Sequence, residues 1–140
     1  MPVVVLDTNI LISALLSPQS KPYRCVYLAR TRNIKSVTCK EILDELKDKL
    51  SNKLKYLALS CEAVAQEIIS FSEVTTITNT LQNVSPDPKD NMVIECAVIG
   101  KATHIITGDK KHLLPLVSYQ GIEIISASDF LKLFDPESGS

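Results

Sequence analysis

The chain opens with Pro2-Val3-Val4-Val5-Leu6-Asp7-Thr8-Asn9, an apolar and mostly β-branched run that stops at a polar triplet. Such a continuous apolar run is typical of a strand that is buried on both faces of a parallel sheet. A second run, His104-Ile105-Ile106, stops in the same way at Thr107-Gly108-Asp109. Because the carboxyl ends of parallel strands meet at one crevice, we expect Asp7 and Asp109 to lie close together.

Helical and strand patterns alternate along the rest of the chain. The apolar periodicity predicts strands over 3–6, 34–37, 74–77, 104–107 and 122–126, and helices over 9–16, 23–32, 40–54, 60–71, 91–99 and 128–134. We expect Ser60 to cap the fourth helix and Gly100 to end the fifth as its C′ residue. Strands that alternate with helices form βαβ units, so the pattern predicts an α/β fold in which a parallel sheet carries helices on both faces.

Length and composition indicate one domain. The chain has 140 residues, of which 45% are hydrophobic, enough for a single packed core. We expect this domain over residues 1–135 and a disordered tail over 136–140. No apolar run approaches the roughly 20 residues of a membrane span, and no secretory signal is recognisable. Four scattered cysteines without a C-x-x-C pair are typical of reduced packing residues, which favours a cytoplasmic protein without a membrane partner.

Charged residues are unevenly distributed. The net charge is −1, which excludes a uniformly basic nucleic-acid binder, but no acid lies between Asp7 and Glu41. The basic residues of that stretch are Lys21, Arg24, Arg30, Arg32, Lys35 and Lys40, and a second basic group comprises Lys101, Lys110 and Lys111. Basic groups beside an acidic centre suit a polyanion whose phosphates approach a metal ion. They suit a solvated helix face equally well.

Two further acids accompany the acids at the strand ends. Asp90 precedes an apolar helical run, and Glu41 and Glu45 are one turn apart on the third helix. Glu45 borders the apolar face of that helix, whereas Glu41 points further towards solvent, so we prefer Glu45 as the functional acid. Each acid taken alone is explained by a helix cap or a turn. Four carboxylates in one crevice repel one another unless a cation neutralises them, and a divalent metal held by carboxylates most often serves phosphate chemistry.

Taken in order, four motifs resemble those of the PIN domain family, in particular the VapC-type ribonucleases of toxin–antitoxin systems. The motifs are Asp7-Thr8-Asn9, Glu45-Leu46, Asp87-Pro88-Lys89-Asp90-Asn91 and Thr107-Gly108-Asp109. The resemblance covers residues 2–134 and implies a three-layer α/β/α sandwich with a central parallel sheet. One departure is Cys39, because many VapC-type chains have Ser or Thr six residues before the glutamate. This departure leaves the register between Glu41 and Glu45 open.

The resemblance also implies a function and a site. It implies a metal-dependent endoribonuclease that uses Mg²⁺ or Mn²⁺ to cleave single-stranded or structured RNA, as the toxin of a toxin–antitoxin pair. The residues that match the catalytic and metal-binding quartet are Asp7, Glu45, Asp90 and Asp109, and those that match its supporting residues are Thr8, Asn9 and Thr107. The implied partners are RNA, a cognate antitoxin and a second copy of the chain in a homodimer. For contacts with RNA, the basic groups offer Arg24, Arg30, Arg32, Lys110 and Lys111.

Other functions fit parts of the pattern. An aspartate-based phosphatase or phosphotransfer domain also has an acid after its first strand, but Asp7-Thr8-Asn9 lacks the second aspartate that a haloacid-dehalogenase-like phosphatase needs. A protein of this fold that binds or processes RNA without a toxin role, or that binds without cutting, is the other alternative. The complete set of four acids favours a nuclease. His104 and His112 are expected to have structural or surface roles.

Overall fold

The computed structural model describes residues 1–137 as a six-stranded sheet flanked by helices. The strands are Val3–Leu6 (β1), Lys35–Cys39 (β2), Ser72–Thr75 (β3), His104–Ile106 (β4), Ser118–Tyr119 (β5) and Ile122–Ile125 (β6). The helices are Thr8–Leu16 (α1), Lys21–Arg30 (α2), Lys40–Asn52 (α3), Ala58–Ser70 (α4), Pro88–Ile99 (α5) and Ala127–Phe134 (α6), with a 3₁₀ turn over Leu114–Leu116. Of the predicted disordered tail, residues 138–140 lie outside the described residues. Within residues 1–137, no helix combines the length and the apolar composition that a membrane span requires.

The sheet is mostly parallel and is covered on both faces. Its strand order is β3-β2-β1-β4-β6-β5, and every neighbouring pair except β6 and β5 is parallel. Successive residues of a strand point to opposite faces. Val4 and Val5 of β1 are both 0% exposed, as are Ile105 and Ile106 of β4. Helices therefore cover both faces, and the predicted α/β sandwich is confirmed.

The antiparallel edge strand β5 has no counterpart in the predicted elements. It pairs with β6, and the two strands are joined by Gln120 and Gly121, whose φ angles are 49° and 81°. Two positive φ angles in a two-residue loop are characteristic of a type I′ hairpin turn. The sequence signal for such a turn is Asn-Gly or Asp-Gly, which is absent here, and a two-residue strand is too short to show alternation.

Helix α5 begins three residues earlier than predicted, at Pro88 instead of Asn91. Proline suits the first turn of a helix because the N–H that it lacks would have no intrahelical partner there. The side chain of Asp87 accepts a hydrogen bond of 3.0 Å from the backbone N–H of Lys89 and caps the helix. Asp90 therefore lies in the first turn of α5 instead of preceding the helix.

The remaining element bounds lie within two residues of the prediction. Ser60 does not cap α4, which begins at Ala58. The residue at its N-cap position is Leu57, whose side chain makes no capping hydrogen bond. Strand β3 correspondingly begins two residues before the predicted strand. The start of β3 follows its parallel pairing with β2, in which Ser72 lies opposite Ser36 and Thr75 opposite Cys39.

A buried acid on α5 fixes the loop that precedes the helix. Glu95 is only 6% exposed. Its carboxylate accepts hydrogen bonds from the backbone N–H and hydroxyl of Thr78 at 2.6 and 2.9 Å, and from the backbone N–H groups of Asn79 and Leu81 at 3.0 and 3.1 Å. Burial raises the pKa of Glu95, but these donors outweigh it and hold that pKa below its usual value. The loop from β3 is thereby tied to α5.

Helix α5 ends at Gly100 for a reason other than the predicted one. The φ angle of Gly100 is −78°, so this residue is not left-handed; the left-handed residue is Lys101, at 56°. A Cβ atom on Gly100 would overlap the Cγ1 atom of Val37 and lie 3.3 Å from the Cγ2 atom of Thr75. Glycine is therefore needed here for the close approach of α5 to β2 and β3.

We expect Gly100→Ala to lower the free energy of unfolding by about 1–3 kcal/mol. The added methyl group would overpack the contact with Val37, and the side-chain and backbone shifts that overpacking forces typically cost this much. Chemical denaturation measures this change. In a Val37→Ala background the added methyl group has room, so the same substitution should cost clearly less. An equal cost in both backgrounds would show that the contact with Val37 is not the cause.

Candidate metal centre

A polar cleft of about 430 Å³ lies at the carboxyl edge of the sheet, beside the ends of β1 and β4. Open parallel sheets bind ligands in such a crevice, where connections leave the sheet in opposite directions. The cleft brings together the four predicted acids and two predicted supporting residues. Its lining residues are Asp7, Thr8, Asn9, Glu45, Lys49, Lys53, Asp87, Lys89, Asp90, Asp109 and His112.

Asp7 is the most strongly held acid of the cleft and is 5% exposed. Its Oδ1 atom accepts a hydrogen bond from the backbone N–H of Thr8 at 2.8 Å. Its Oδ2 atom accepts from the Asn9 amide at 3.0 Å and from the Thr107 hydroxyl at 2.8 Å. Burial nevertheless raises the pKa of Asp7, and the charge of Glu45 adds to this effect.

Asn9 and Thr107, two of the predicted supporting residues, join the ends of β1 and β4. The Oδ1 atom of Asn9 accepts a hydrogen bond of 2.8 Å from the backbone N–H of Gly108. The hydroxyl of Thr107 accepts one of 3.0 Å from the backbone N–H of Asp109 while it donates to Asp7. The two residues therefore fix the loops that carry Asp7 and Asp109 relative to each other.

Asp90 reaches the cleft from the first turn of α5. The hydroxyl of Ser85 donates a hydrogen bond of 3.0 Å to its Oδ2 atom. Ser85 is itself held by Asn91, whose side chain exchanges hydrogen bonds of 2.8 and 3.2 Å with the Ser85 backbone. Burial raises the pKa of Asp90 to about 7, and the charges of Asp109 and Asp87 contribute.

Asp109 has the opposite electrostatic environment. Burial alone would raise the pKa of Asp109. The backbone N–H groups of His112 and Lys111, each 3.0 Å from its Oδ1 atom, outweigh burial and hold this pKa below its usual value. Asp90 and Asp109 therefore differ in proton affinity, and a proton shared between them resides on Asp90.

The structure places Glu45, and not Glu41, in the cleft. Glu45 has a side chain that is 16% exposed, and its Oε2 atom lies 3.5 Å from the Nζ atom of Lys89 and 4.0 Å from that of Lys49. Glu41 instead accepts a hydrogen bond of 3.2 Å from the side chain of Asn79. This placement agrees with the preference drawn from the position of Glu45 beside the apolar face of α3.

A family model described as PIN domain matches residues 3–111. The chain belongs to the PIN domain family. The predicted resemblance to that family is confirmed.

Two proteins illustrate what this PIN domain is similar to. The uncharacterized protein MJ1680 of Methanocaldococcus jannaschii is 39% identical over 110 residues, which cover 76% of this chain and 70% of that protein. A chain from the crystal structure of VapBC2 from Rickettsia felis, bound to a DNA fragment from their promoter, superposes with a TM-score of 0.62. Its identity is 15%, over 89% of this chain and 98% of that chain, so this likeness concerns the fold alone.

The three arginines predicted to contact RNA are engaged outside the residues that line the cleft of this PIN domain. Arg24 donates two hydrogen bonds of 2.9 Å to Asp135. Arg30 forms an ion pair of 3.1 Å with a glutamate of α4, and Arg32 donates to the backbone of the same helix at 3.2 Å. Binding of a polyanion by these arginines would compete with those contacts.

The lysines that line the cleft are different residues. Lys49 lies one helical turn after Glu45 on α3, Lys53 follows four residues later as the C-cap residue of that helix, and Lys89 lies in the first turn of α5. The helical spacing from Glu45 is the sequence signal that finds the first two. Lys110 and Lys111, which were predicted to contact RNA, are exposed and directly follow Asp109.

The two histidines differ in their roles. His104 is structural, as expected: it packs edge-on against the rings of Phe130 and Phe134, with centroids 5.5 and 5.0 Å away. His112 lies in the cleft instead of on an unrelated surface, with its Nδ1 atom 3.7 Å from the Oδ2 atom of Asp109. The spacing of three residues after Asp109 is the signal that could have found it, because a turn places such residues side by side.

The residues of the cleft fit a divalent metal ion. One ligand atom from each of Asp87, Asp90 and His112 lies within 4.8 Å of the others. Thr8 is 1% exposed, and its Oγ1 atom has no hydrogen-bond partner among residues 1–137. A buried hydroxyl without a partner is costly, and the coordination shell of an ion would supply one. Carboxylates whose pKa is raised by burial and mutual repulsion are those that a cation relieves.

In chelator, Asp90 should make the protein less stable as the pH rises. The pKa of Asp90 is about 7 in the folded protein, against 3.8 unfolded, so the folded state binds the proton more tightly. Its stabilising contribution is therefore present below pH 4 and is lost as the pH rises through about 7. The melting temperature of Asp90→Asn relative to the original protein should accordingly rise between pH 5 and pH 8. Asp129→Asn, an exposed carboxylate on α6, is the control; a flat difference for Asp90→Asn would contradict the expectation.

Proposed function

We propose that this PIN domain is a metal-dependent endoribonuclease that hydrolyses phosphodiester bonds of single-stranded or structured RNA. Membership of the PIN domain family supports a nuclease. The observation that carries the proposal is the convergence of Asp7, Glu45, Asp90 and Asp109 on one cleft at the carboxyl edge of the sheet. Such a set of carboxylates serves phosphate chemistry when a cation neutralises it.

Asp7, Asp90 and Asp109 are the proposed ligands of Mg²⁺ or Mn²⁺, and Glu45 holds an outer water or a second ion. An ion bound by these residues would supply a Lewis acid that lowers the pKa of a coordinated water and offsets the charge that develops on the phosphate. The protein contributes orientation. Thr107 fixes both Asp7 and the backbone of Asp109, so the two strand-end carboxylates keep one relative geometry.

Lys49, Lys53 and Lys89 are proposed to receive the phosphates of the RNA, with Lys110 and Lys111 beside them. The first three line the same cleft as the acids, so they attract a polyanion to the reacting position. The acids repel a phosphate until a cation is present, and binding of the RNA is therefore coupled to the ion. Arg24, Arg30 and Arg32 are left as contacts for more distant parts of a long RNA.

The toxin role and the partners rest on the resemblance to VapC-type proteins. We propose that the chain acts as the toxin of a toxin–antitoxin pair, that a cognate antitoxin binds it, and that it forms a homodimer. The likeness to a chain of VapBC2 supports a shared fold. Co-purification with the product of a neighbouring reading frame, followed by light scattering, tests the partner and the oligomeric state together.

The residue two positions after Asp7 disfavours the aspartate-based phosphotransfer alternative. A haloacid-dehalogenase-like phosphatase needs a second aspartate there, and this chain has Asn9. The amide of Asn9 donates a hydrogen bond of 3.0 Å to Asp7, and an amide cannot serve as the general acid for a leaving group. Within residues 1–137, Oδ1 of Asp7 accepts a single hydrogen bond, from the backbone N–H of Thr8, and so keeps a lone pair for an ion.

Asp7→Asn should reduce metal-dependent cleavage of single-stranded RNA by more than about 100-fold. The loss of a residue that only hydrogen-bonds to a metal ligand costs up to about 100-fold, and Asp7 is a proposed ligand itself. The protein should stay folded, because relief of a buried charge offsets the new amide–amide contact with Asn9. Cleavage by gel assay with Mn²⁺ or Mg²⁺, and with chelator, measures the loss. Asp7→Asn/Asn9→Asp keeps the total charge and one donor facing one acceptor, and it should be equally inactive. Cleavage at the original rate by either variant, or cleavage that chelator leaves unchanged, contradicts the proposal.

Glu45→Gln should lower the cleavage rate by about 10–100-fold, because it removes charge from the cleft without changing its shape. Glu41→Gln is the matched control: it is the same substitution on the same helix, four residues away, at a side chain outside the cleft. Its cleavage rate should stay close to the original. The reverse order of effects would place the helix-borne acid at Glu41 and shift the motif by one turn.

A further inference from the structure

We propose that His112 is a nitrogen ligand of the ion at the metal centre, and that it makes this site select a first-row transition ion such as Mn²⁺ over Mg²⁺. The inference rests on the proposed function and deepens it, because the four acids alone leave the choice of ion open. Carboxylates and water suit Mg²⁺, whereas an imidazole nitrogen is a softer ligand that Mg²⁺ accepts poorly. A single histidine in an acidic cleft can therefore decide which ion is retained.

The position of the imidazole is the first observation. The Nδ1 atom of His112 lies 3.7 Å from Oδ2 of Asp109 and 4.0 Å from Oδ2 of Asp90. Both distances are too long for a hydrogen bond. In an octahedral shell with bonds of about 2.1 Å, ligand atoms are about 3.0 Å apart when adjacent and about 4.2 Å apart when opposite. Both distances lie between these two spacings, so the imidazole stands beside two carboxylates at ligand-like separation without a hydrogen bond to either. One ligand atom from each of Asp87, Asp90 and His112 also lies within 4.8 Å of the others.

The turn after β4 holds His112 in this position. Its backbone N–H donates a hydrogen bond of 3.0 Å to the carboxylate of Asp109. The next residue, Leu113, is fully buried, and the backbone N–H of Leu114 donates to the backbone oxygen of Asp109 at 2.9 Å. The ring nitrogens of His112 make no hydrogen bond within residues 1–137. The main chain is therefore fixed while the imidazole is left free to bind a ligand.

Thr8 supplies an independent sign that the cleft is built around a ligand. Its side chain lines the same cleft and is 1% exposed, and its hydroxyl has no partner among the described residues. Such a group is normally satisfied by a protein atom or an ordered water. A water bound to an ion next to Asp7 would satisfy it. Thr8 thus indicates a bound ion from the side of the cleft at the end of β1, while His112 indicates one from the side at the end of β4.

The second histidine cannot produce the same signal. The chain contains 2 histidines, and His104 is buried against Phe130 and Phe134 with its Nδ1 atom 2.7 Å from the hydroxyl of Thr103. His104 is not among the residues that line the cleft. Imidazole nitrogen detected at a bound ion would consequently come from His112.

The test uses the full chain with Mn²⁺ as the probe, at pH 8. Pulsed electron paramagnetic resonance should detect coupling of Mn²⁺ to an imidazole nitrogen, and the coupling should disappear in His112→Gln. Calorimetry should show that this substitution lowers the affinity for Mn²⁺ by about 10–100-fold and leaves that for Mg²⁺ unchanged. His112→Asp should lose the nitrogen signal but still bind both ions through oxygen. Lys111→Gln, the neighbouring residue, should keep the signal and serves as the control.

Each outcome bears on the inference. A nitrogen signal that is present originally and lost in both His112 variants supports it. Bound Mn²⁺ without a nitrogen signal overturns it but leaves the proposed nuclease intact, provided that Asp90→Asn loses the ion. Failure of the original protein to bind Mn²⁺ overturns it as well. RNA cleavage that persists in chelator, or that Asp7→Asn carries out at the original rate, would instead overturn the proposed function itself, so the two failures are distinguishable.

Discussion

The hydrogen bond from Thr107 to the buried carboxylate of Asp7 is the interaction on which the rest of the cleft depends. It spans 2.8 Å and joins residues that are 100 positions apart in the chain. The carboxylate of Asp7 is only 5% exposed, and the free-energy cost of burying it is offset by hydrogen-bond donors that face both of its oxygens. The same donors come from the ends of β1 and β4. The geometry of the cleft and the pairing of the central strands are therefore one constraint.

The acids of the cleft differ in their charged neighbours and in their affinity for a proton. Glu45 already has cationic neighbours in Lys49 and Lys89. Asp109 is held as an anion by backbone N–H groups, whereas burial favours the protonated form of Asp90. One proton and two lysines thus neutralise part of the negative charge in the protein without an ion. A divalent ion would replace that proton and leave the lysines available to phosphate.

The sequence predicted the parts of the molecule in which local pattern and global fold agree. Continuous apolar runs marked β1 and β4, and the acids that follow them, Asp7 and Asp109, lie in one cleft because strand ends are fixed by topology. The position of Glu45 in the cleft could be predicted from helical periodicity. The position of His112 could not be predicted in that way, because it depends on a turn that is closed by Asp109. Strand β5 also escaped prediction, since its pairing with β6 supplies order that its two residues do not encode.

The strand order has a consequence for the nascent chain. Strand β4 inserts beside β1 although about a hundred residues separate them, so the contacts that order the cleft are among the most distant in the sequence. Contacts of this kind form late, because loop closure must precede them. A ribosome that has released only the first hundred residues holds a chain with Asp7, Glu45 and Asp90 but without their partner strand. The cleft is therefore complete only after β4 and the turn that carries Asp109 have left the ribosome.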